Sequence, residues 1–160
     1  VSMGPVFITV IGQCMGNNNT QIAESYLKKL TKITVLLSFA WNLLIFVLTP
    51  LFMRFYALEP DTKQLVIWLV LIHNLFNAIA YSFFRALSNG LRAAGDVKFT
   101  MYVSVISTIA VRLLLSWLLG VALQMGVIGI AIAMVSDWVI RAVIFFWRQK
   151  SGKWKTFQVI

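Results

Sequence analysis

Residues 33–53 read ITVLLSFAWNLLIFVLTPLFM, 21 positions without a charged side chain. As an α-helix this run is ~31 Å long at 1.5 Å per residue, about the thickness of one bilayer hydrocarbon core. Three further runs repeat the pattern. Residues 65–84 carry no charge, 99–119 carry only Arg112, and 127–147 carry only Asp137 and Arg141. The opening 15 residues are apolar but too short to span, and fit the second half of a helix. The predicted helices are 1–15 (partial), 33–53, 65–88, 99–120 and 127–147. The fold class is therefore an all-α polytopic membrane protein, with four whole transmembrane helices and a truncated one.

Composition agrees. Of 160 residues, 60% are hydrophobic and only 12% are charged, against about 25% charged in ordinary soluble domains. Mean hydropathy is +0.85. A soluble domain of this length buries about two-thirds of its unfolded surface, too little to hide so many apolar side chains. The net charge of +9 does not indicate a nucleic-acid partner, because apolar runs divide the basic residues into short clusters instead of one face. The partner that the composition implies is the lipid bilayer. One cysteine and one histidine leave no basis for a disulfide or a metal cluster. Neither a phosphate loop, a nucleophile elbow nor a pair of carboxylates is present, so the chain is not expected to be an enzyme or to hold a cofactor.

The connections set the orientation, since cytoplasmic loops carry the lysine and arginine excess. Lys28, Lys29 and Lys32 precede the second helix. Arg85, Arg92 and Lys98 surround the turn after the third, and Arg148, Lys150, Lys153 and Lys155 form the tail. Arg54 and Lys63 alone lie on the other side, offset by Glu59 and Asp61. The ten-to-two bias places the C-terminus in the cytoplasm. Residues 20–33 put Ile22, Tyr26, Leu30 and Ile33 on one stripe, as in a helix lying at the cytoplasmic interface. Asp96 is placed to cap the fourth helix. Pro5 and Pro50 are placed to kink or stop helices. Tyr56, Trp117, Trp147 and Trp154 are expected as interfacial anchors.

Charges at bilayer depth cost at least ~2.5–3.5 kcal/mol on insertion scales, which makes Asp137 informative. It lies ten residues before Trp147, roughly 15 Å along the helix. Arg141 follows at i+4. A hairpin folded about Leu123 brings Arg112 within reach of Asp137 as a second candidate partner. The group serves either as an ion- or substrate-contacting cluster or as a structural ion pair joining the last two helices, with Arg141 partly snorkelling. The third helix carries a neutral polar stripe: His73, Asn77 and Tyr81 at four-residue steps, with Asn74 alongside. With Asn42 on the second helix, these are candidates for a substrate or cation cavity; interhelical hydrogen bonding is the alternative. Ser38 precedes Asn42, and Ser104 and Thr108 lead to Arg112. Gly129 and Ala133 allow close helix packing.

Several motifs in series resemble one family. Ile11-Gly12-Gln13-Cys14-Met15-Gly16 followed by Ala23 resembles the "GQ-x-x-G … A" pattern of multidrug and toxic compound extrusion (MATE) transporters. Leu91-Arg92-Ala93-Ala94-Gly95-Asp96 resembles their "LRGAGD" turn. Residues 125–131, Asp137-Trp138, Arg141, Arg148 and Gly152-Lys153-Trp154 are similar to the last helix and tail of bacterial members. The resemblance implies helices eight to twelve of a twelve-helix protein, an incomplete six-helix lobe whose N-terminal partner lobe lies outside the chain. It implies a secondary antiporter of the bacterial plasma membrane, exporting amphipathic or cationic compounds against Na+ or H+. A carboxylate that some sodium-coupled members carry on the tenth helix has no counterpart in 65–84. The 160-residue chain alone is expected to be inactive. A lipid-linked oligosaccharide flippase of the wider superfamily, contacting a pyrophosphate through Arg112 and Arg141, and a non-transporting membrane scaffold are the competing functions.

Overall fold

The computed structural model describes residues 3–17, 19–55 and 60–156. Tyr56 and Glu59 lie outside them. Helix α1 is Met3–Gly16, and α2 is Thr20–Phe55. Helix α3 (Pro60–Phe76) continues through a π-helical turn, Asn77–Tyr81, into α4 (Ser82–Ala93). The next rod is α5 (Val97–Ile106), a π-helical segment Ser107–Leu113, α6 (Leu114–Trp117) and a second π turn Leu118–Ala122. Helix α7 (Gly126–Lys150) ends in a 3-10 turn, Lys153–Thr156. No strand occurs among the described residues. Among the described residues, four helices are long and apolar enough to cross a membrane, and α1 is a shorter apolar helix. The chain is an all-α polytopic membrane protein.

The helices outrun the predicted windows because an uncharged run marks only the apolar part of a helix, and the backbone stays helical into the polar residues that flank it. The largest difference is at α2. Residues 20–33 are not a separate interfacial helix but the first turns of one 36-residue rod, ~54 Å long. Pro50 sits inside that rod without ending it. Pro5 likewise lies within α1 as described, and the helix runs on from it to Gly16.

The core lies at the lysine- and arginine-rich end. Phe7, Ile11 and Met15 of α1 meet Ala23 and Leu27 of α2, Phe84, Leu87 and Leu91 of α4, and Trp138 and Phe145 of α7. Gly90 makes this possible: a Cβ there would stand 2.1 Å from Leu27 Cδ1. Trp154 is fully buried in the same cluster, its Nε1 donating to Gln149 O at 3.0 Å. It is thus a core residue rather than the expected interfacial anchor. Trp117 and Trp147 face outward at 62% and 73% exposure. The rod 97–122 packs mainly on α7 and exposes Ile106, Ile109, Leu113 and Leu114. A patch of this size would drive association in water and suits a lipid-facing wall.

Candidate functional site

Two polar features interrupt the apolar bundle. The first is the buried charge cluster on α7. Arg141 Nε donates to Asp137 Oδ1 at 2.9 Å, and Nη2 lies 2.9 Å from Oδ2. The same Nη2 donates to Thr108 Oγ1 at 2.7 Å, and Ser107 Oγ donates to Asp137 Oδ1. The Asp137 side chain is 1% exposed and that of Arg141 11%. The guanidinium also lies 5.6 Å from the Phe84 ring centroid. Arg141 therefore folds back over its own helix instead of snorkelling outward. Side chains four residues apart are neighbours on a helix, so the pair needs no tertiary contact to form. What joins the two helices is the hydroxyl pair, Ser107 and Thr108.

Arg112 does not take the place expected for it. It is half-buried and makes no ion pair among the described residues. The expected hairpin register holds, with Ser107 across from Asp137 and Thr108 near Arg141. A hydroxyl at the level of the carboxylate satisfies it without the reach that Arg112 would need. Ser107 was not singled out in the sequence because grouping Ser104, Thr108 and Arg112 assumed α periodicity. The Ser107–Leu113 segment is π-helical, with i→i+5 bonding, and Ser104 donates to Thr100 O of its own helix at 2.7 Å.

The second feature is a polar cavity of about 520 Å³ between α1, α2, the Asn77–Tyr81 turn and α4. Ser38, Asn42, Asn77, Tyr81, Arg85 and Asn89 supply its polar lining. Asn42 Nδ2 spends one N–H on Ser38 O at 2.7 Å, which leaves its second N–H and its amide oxygen to offer. The Arg85 guanidinium stands 5.7 Å from the Tyr81 ring centroid. The predicted stripe on the third helix reaches this cavity only in part. Asn77 and Tyr81 face this cavity, whereas Asn74 shares a smaller apolar hollow of about 200 Å³ with Asn42. His73 is exposed and packs edge-on against Trp138, 5.1 Å between centroids. Tyr81 meets the same Trp138 at 5.1 Å. The turn is held by Ser82, whose N–H and Oγ both donate to Asn77 O. Arg85 and Asn89 were missed as lining residues; Arg85 had counted only as a loop charge.

The motif turn 91–96 builds the basic end. Asp96 N bonds Leu91 O at 2.9 Å and Gly95 N bonds Arg92 O at 3.1 Å, a Schellman ending in which Gly95 takes φ 93° at no Cβ cost. Asp96 stands at the N-cap of α5, but its side chain makes no cap bond. Its Oδ2 accepts from Arg148 Nε at 2.7 Å instead, and the Arg148 guanidinium lies 4.4 Å from the Phe99 ring centroid. With Arg148 both partners of the bond are charged, whereas a backbone N–H would leave the buried carboxylate without a counter-charge. Arg92 Nε donates to Thr100 Oγ1 at 3.2 Å, and Leu91 is fully buried. In the other motif, Gly12 has Ala93 O 3.9 Å from an added Cβ, Gly16 has nothing within 4 Å, and Gln13 is exposed.

Helices long and apolar enough to cross a membrane, packed together in an all-α bundle, define a polytopic membrane protein. The MatE family model matches residues 1–118, and the chain belongs to the MatE family. A 73-residue stretch is 38% identical to the "Uncharacterized transporter YisQ" of Bacillus subtilis (strain 168), covering 46% of this chain and 16% of that protein. The chain thus matches a small part of that relative's length. No solved structure matches it significantly.

Proposed function

We propose that this chain forms the C-terminal helices, eight to twelve, of a secondary active antiporter. The whole protein would export amphipathic or cationic organic compounds from a bacterial cell across the plasma membrane, in exchange for Na+ or H+. The C-terminus would lie in the cytoplasm, and an N-terminal lobe of the same protein would complete the cavity. The carrying observation is the polar cavity at the Asn77–Tyr81 turn, set in helices otherwise apolar enough for lipid. Polar groups at that depth are costly and mark substrate or ion routes. π turns recur at functional sites for the same reason, since they free and re-aim backbone and side-chain groups.

The role of Asp137 follows from its surroundings. With both carboxylate oxygens engaged by Arg141 and one also by Ser107, Asp137 holds α7 to the 97–122 rod, and the coupling carboxylate is supplied by the other lobe. A second reading, export of an anionic lipid-linked sugar, draws on Arg85 as the cation lining the cavity; Arg141 is already committed to Asp137.

The test is retention of a fluorescent cationic dye in cells expressing the full-length protein. Expression should lower retention in a manner that collapses with the ion gradient, and Asn77→Leu should reverse at least most of that effect at unchanged protein level. Retention that never responds, with a cell-envelope defect on deletion, would replace export of drugs by the flippase reading. The 160-residue chain reconstituted alone is expected to carry no gradient-driven flux.

A further inference from the structure

A second groove lies between α2, α4 and α7, away from the polar cavity. Its volume is about 420 Å³. Lys28, Thr31 and Lys32 line it toward the basic end, and Val35, Leu36 and Leu87 line it further in. Phe83 and Phe146, with rings 6.1 Å apart, belong both to this groove and to a purely apolar one of about 570 Å³. That second groove continues along Ile79, Val139 and Val143. From Leu87 back to Leu75 the combined trough follows about 18 Å of helix, more than the ~15 Å depth of one leaflet's hydrocarbon.

Thr31 is the anomaly in this groove. It is 6% exposed, and its Oγ1 is the buried side-chain polar atom left without a hydrogen-bond partner among the described residues. Thr9, Thr34, Thr49 and Thr108 each return their hydroxyl to a carbonyl four residues back; Thr31 does not. Buried polar groups are satisfied as a rule, and an exception asks for a missing partner. Of the two lysines, Lys28 is held 2.8 Å from Glu24, while Lys32 is exposed and makes no ion pair among the described residues.

We propose that the groove is a binding site for an anionic phospholipid of the cytoplasmic leaflet. The phosphate lies against Lys32, with Lys28 beside it. Thr31, which lines the groove, rotates its unpartnered hydroxyl outward to donate to a headgroup or ester oxygen, and one acyl chain runs down the trough past Phe83 and Phe146. Charge complementarity selects the occupant: the cytoplasmic leaflet is the anionic one, and basic residues near it draw acidic headgroups. The inference rests on the membrane orientation given by the loop charges and not on what the protein transports, so loss of dye export would leave it standing.

The experiment is native mass spectrometry of the full-length protein released from nanodiscs of equimolar phosphatidylglycerol and phosphatidylcholine. Phosphatidylglycerol should be retained in preference. Lys32→Gln should cut the preference about fivefold, whereas Lys29→Gln, an exposed lysine outside the groove, should leave it unchanged. Leu36→Trp, at a position 59% exposed and so without risk to the fold, should fill the groove and lower retention of both lipids. Equal retention by the native protein, or equal effects of Lys29→Gln and Lys32→Gln, would overturn the site. Retention untouched by Leu36→Trp, as when another helix of the protein covers the groove, would overturn it too, as would removal of the preference by inorganic phosphate, which would assign the lysines to a soluble anion.

Discussion

Asp137 and Arg141 illustrate how much a single pair of positions carries when the solvent is lipid. Taken alone, each charge would cost several kcal/mol at that depth; together, bidentate and buried, they enter as a neutral unit. Removing one partner leaves the other charge uncompensated, the costly case for buried pairs. Asp137→Asn is therefore expected to destabilise the full-length protein by about 3 kcal/mol, read as detergent-induced unfolding. Asp137→Asn with Arg141→Gln should recover most of that loss. Arg112→Gln, at a position outside any described ion pair, should shift stability by no more than about 1 kcal/mol. A loss at Arg112 as large as at Asp137 would return Arg112 to the cluster. The serine and threonine matter differently: Ser107→Ala removes one bond to the carboxylate and should cost about 1–3 kcal/mol.

At the scale of elements, the contact of α7 with the 97–122 rod depends on Gly129. A Cβ there would stand 2.7 Å from both C and O of Leu119 and 2.9 Å from Gly120 N, all backbone atoms that cannot swing aside. Gly129→Ala should cost about 1–3 kcal/mol as overpacking, and Gly129→Leu should prevent the hairpin from closing. Gly12→Ala and Gly16→Ala should be nearly neutral by the same unfolding assay, because an added Cβ meets ordinary contact or open space. The comparison separates glycines required by packing from glycines that only recur in a motif. The π turns belong to this scale as well. Periodicity placed His73, Asn77 and Tyr81 on one face; His73 and Tyr81 both pack on Trp138, while only Asn77 and Tyr81, in the π turn, line the cavity. No residue type in the segment announces a π turn; Ser82, which closes it, reads as an ordinary small polar residue.

For the molecule as a whole, the C-terminal turn closes the basic end. Trp154 is buried, and Glu24 near the start of α2 accepts from Lys155 while also pairing with Lys28 at 2.8 Å. The hydrogen bond from Lys155, followed by that from Lys28, lowers the Glu24 carboxyl from 4.5 to about 2. A depressed carboxylate pKa means that the docked tail favours the ionised form. Its contribution is complete above about pH 4.5 and is lost as pH falls toward about 2. Hydrogen exchange of residues 153–156 should accordingly be slow and constant from pH 7 to pH 5 after correction for intrinsic rates, and should speed up below pH 4. Glu24→Gln should remove the acid dependence and leave the tail loosened throughout. Protection that persists unchanged in Glu24→Gln would mean that Trp154 alone holds the tail. Salt should weaken the ion pair, since Glu24 and Lys155 are both partly exposed.

Sequence alone determined the environment and the spans, because an uncharged run of 21 residues has one low-energy solution in lipid and none in water. It also determined the approximate hairpin register around Asp137, because counting residues back from the turn brings the same neighbourhoods together even though the 97–122 rod includes π-helical turns. The tertiary structure decided which neighbour each polar group takes. Asp96 reached Arg148 instead of its own helix end, Trp154 entered the core, and the buried stripe of α2 proved to be Ala23, Leu27 and Thr31. Those outcomes depend on distances between segments 50 to 130 residues apart in the chain. Local periodicity carries no information about such distances, and only packing sets them.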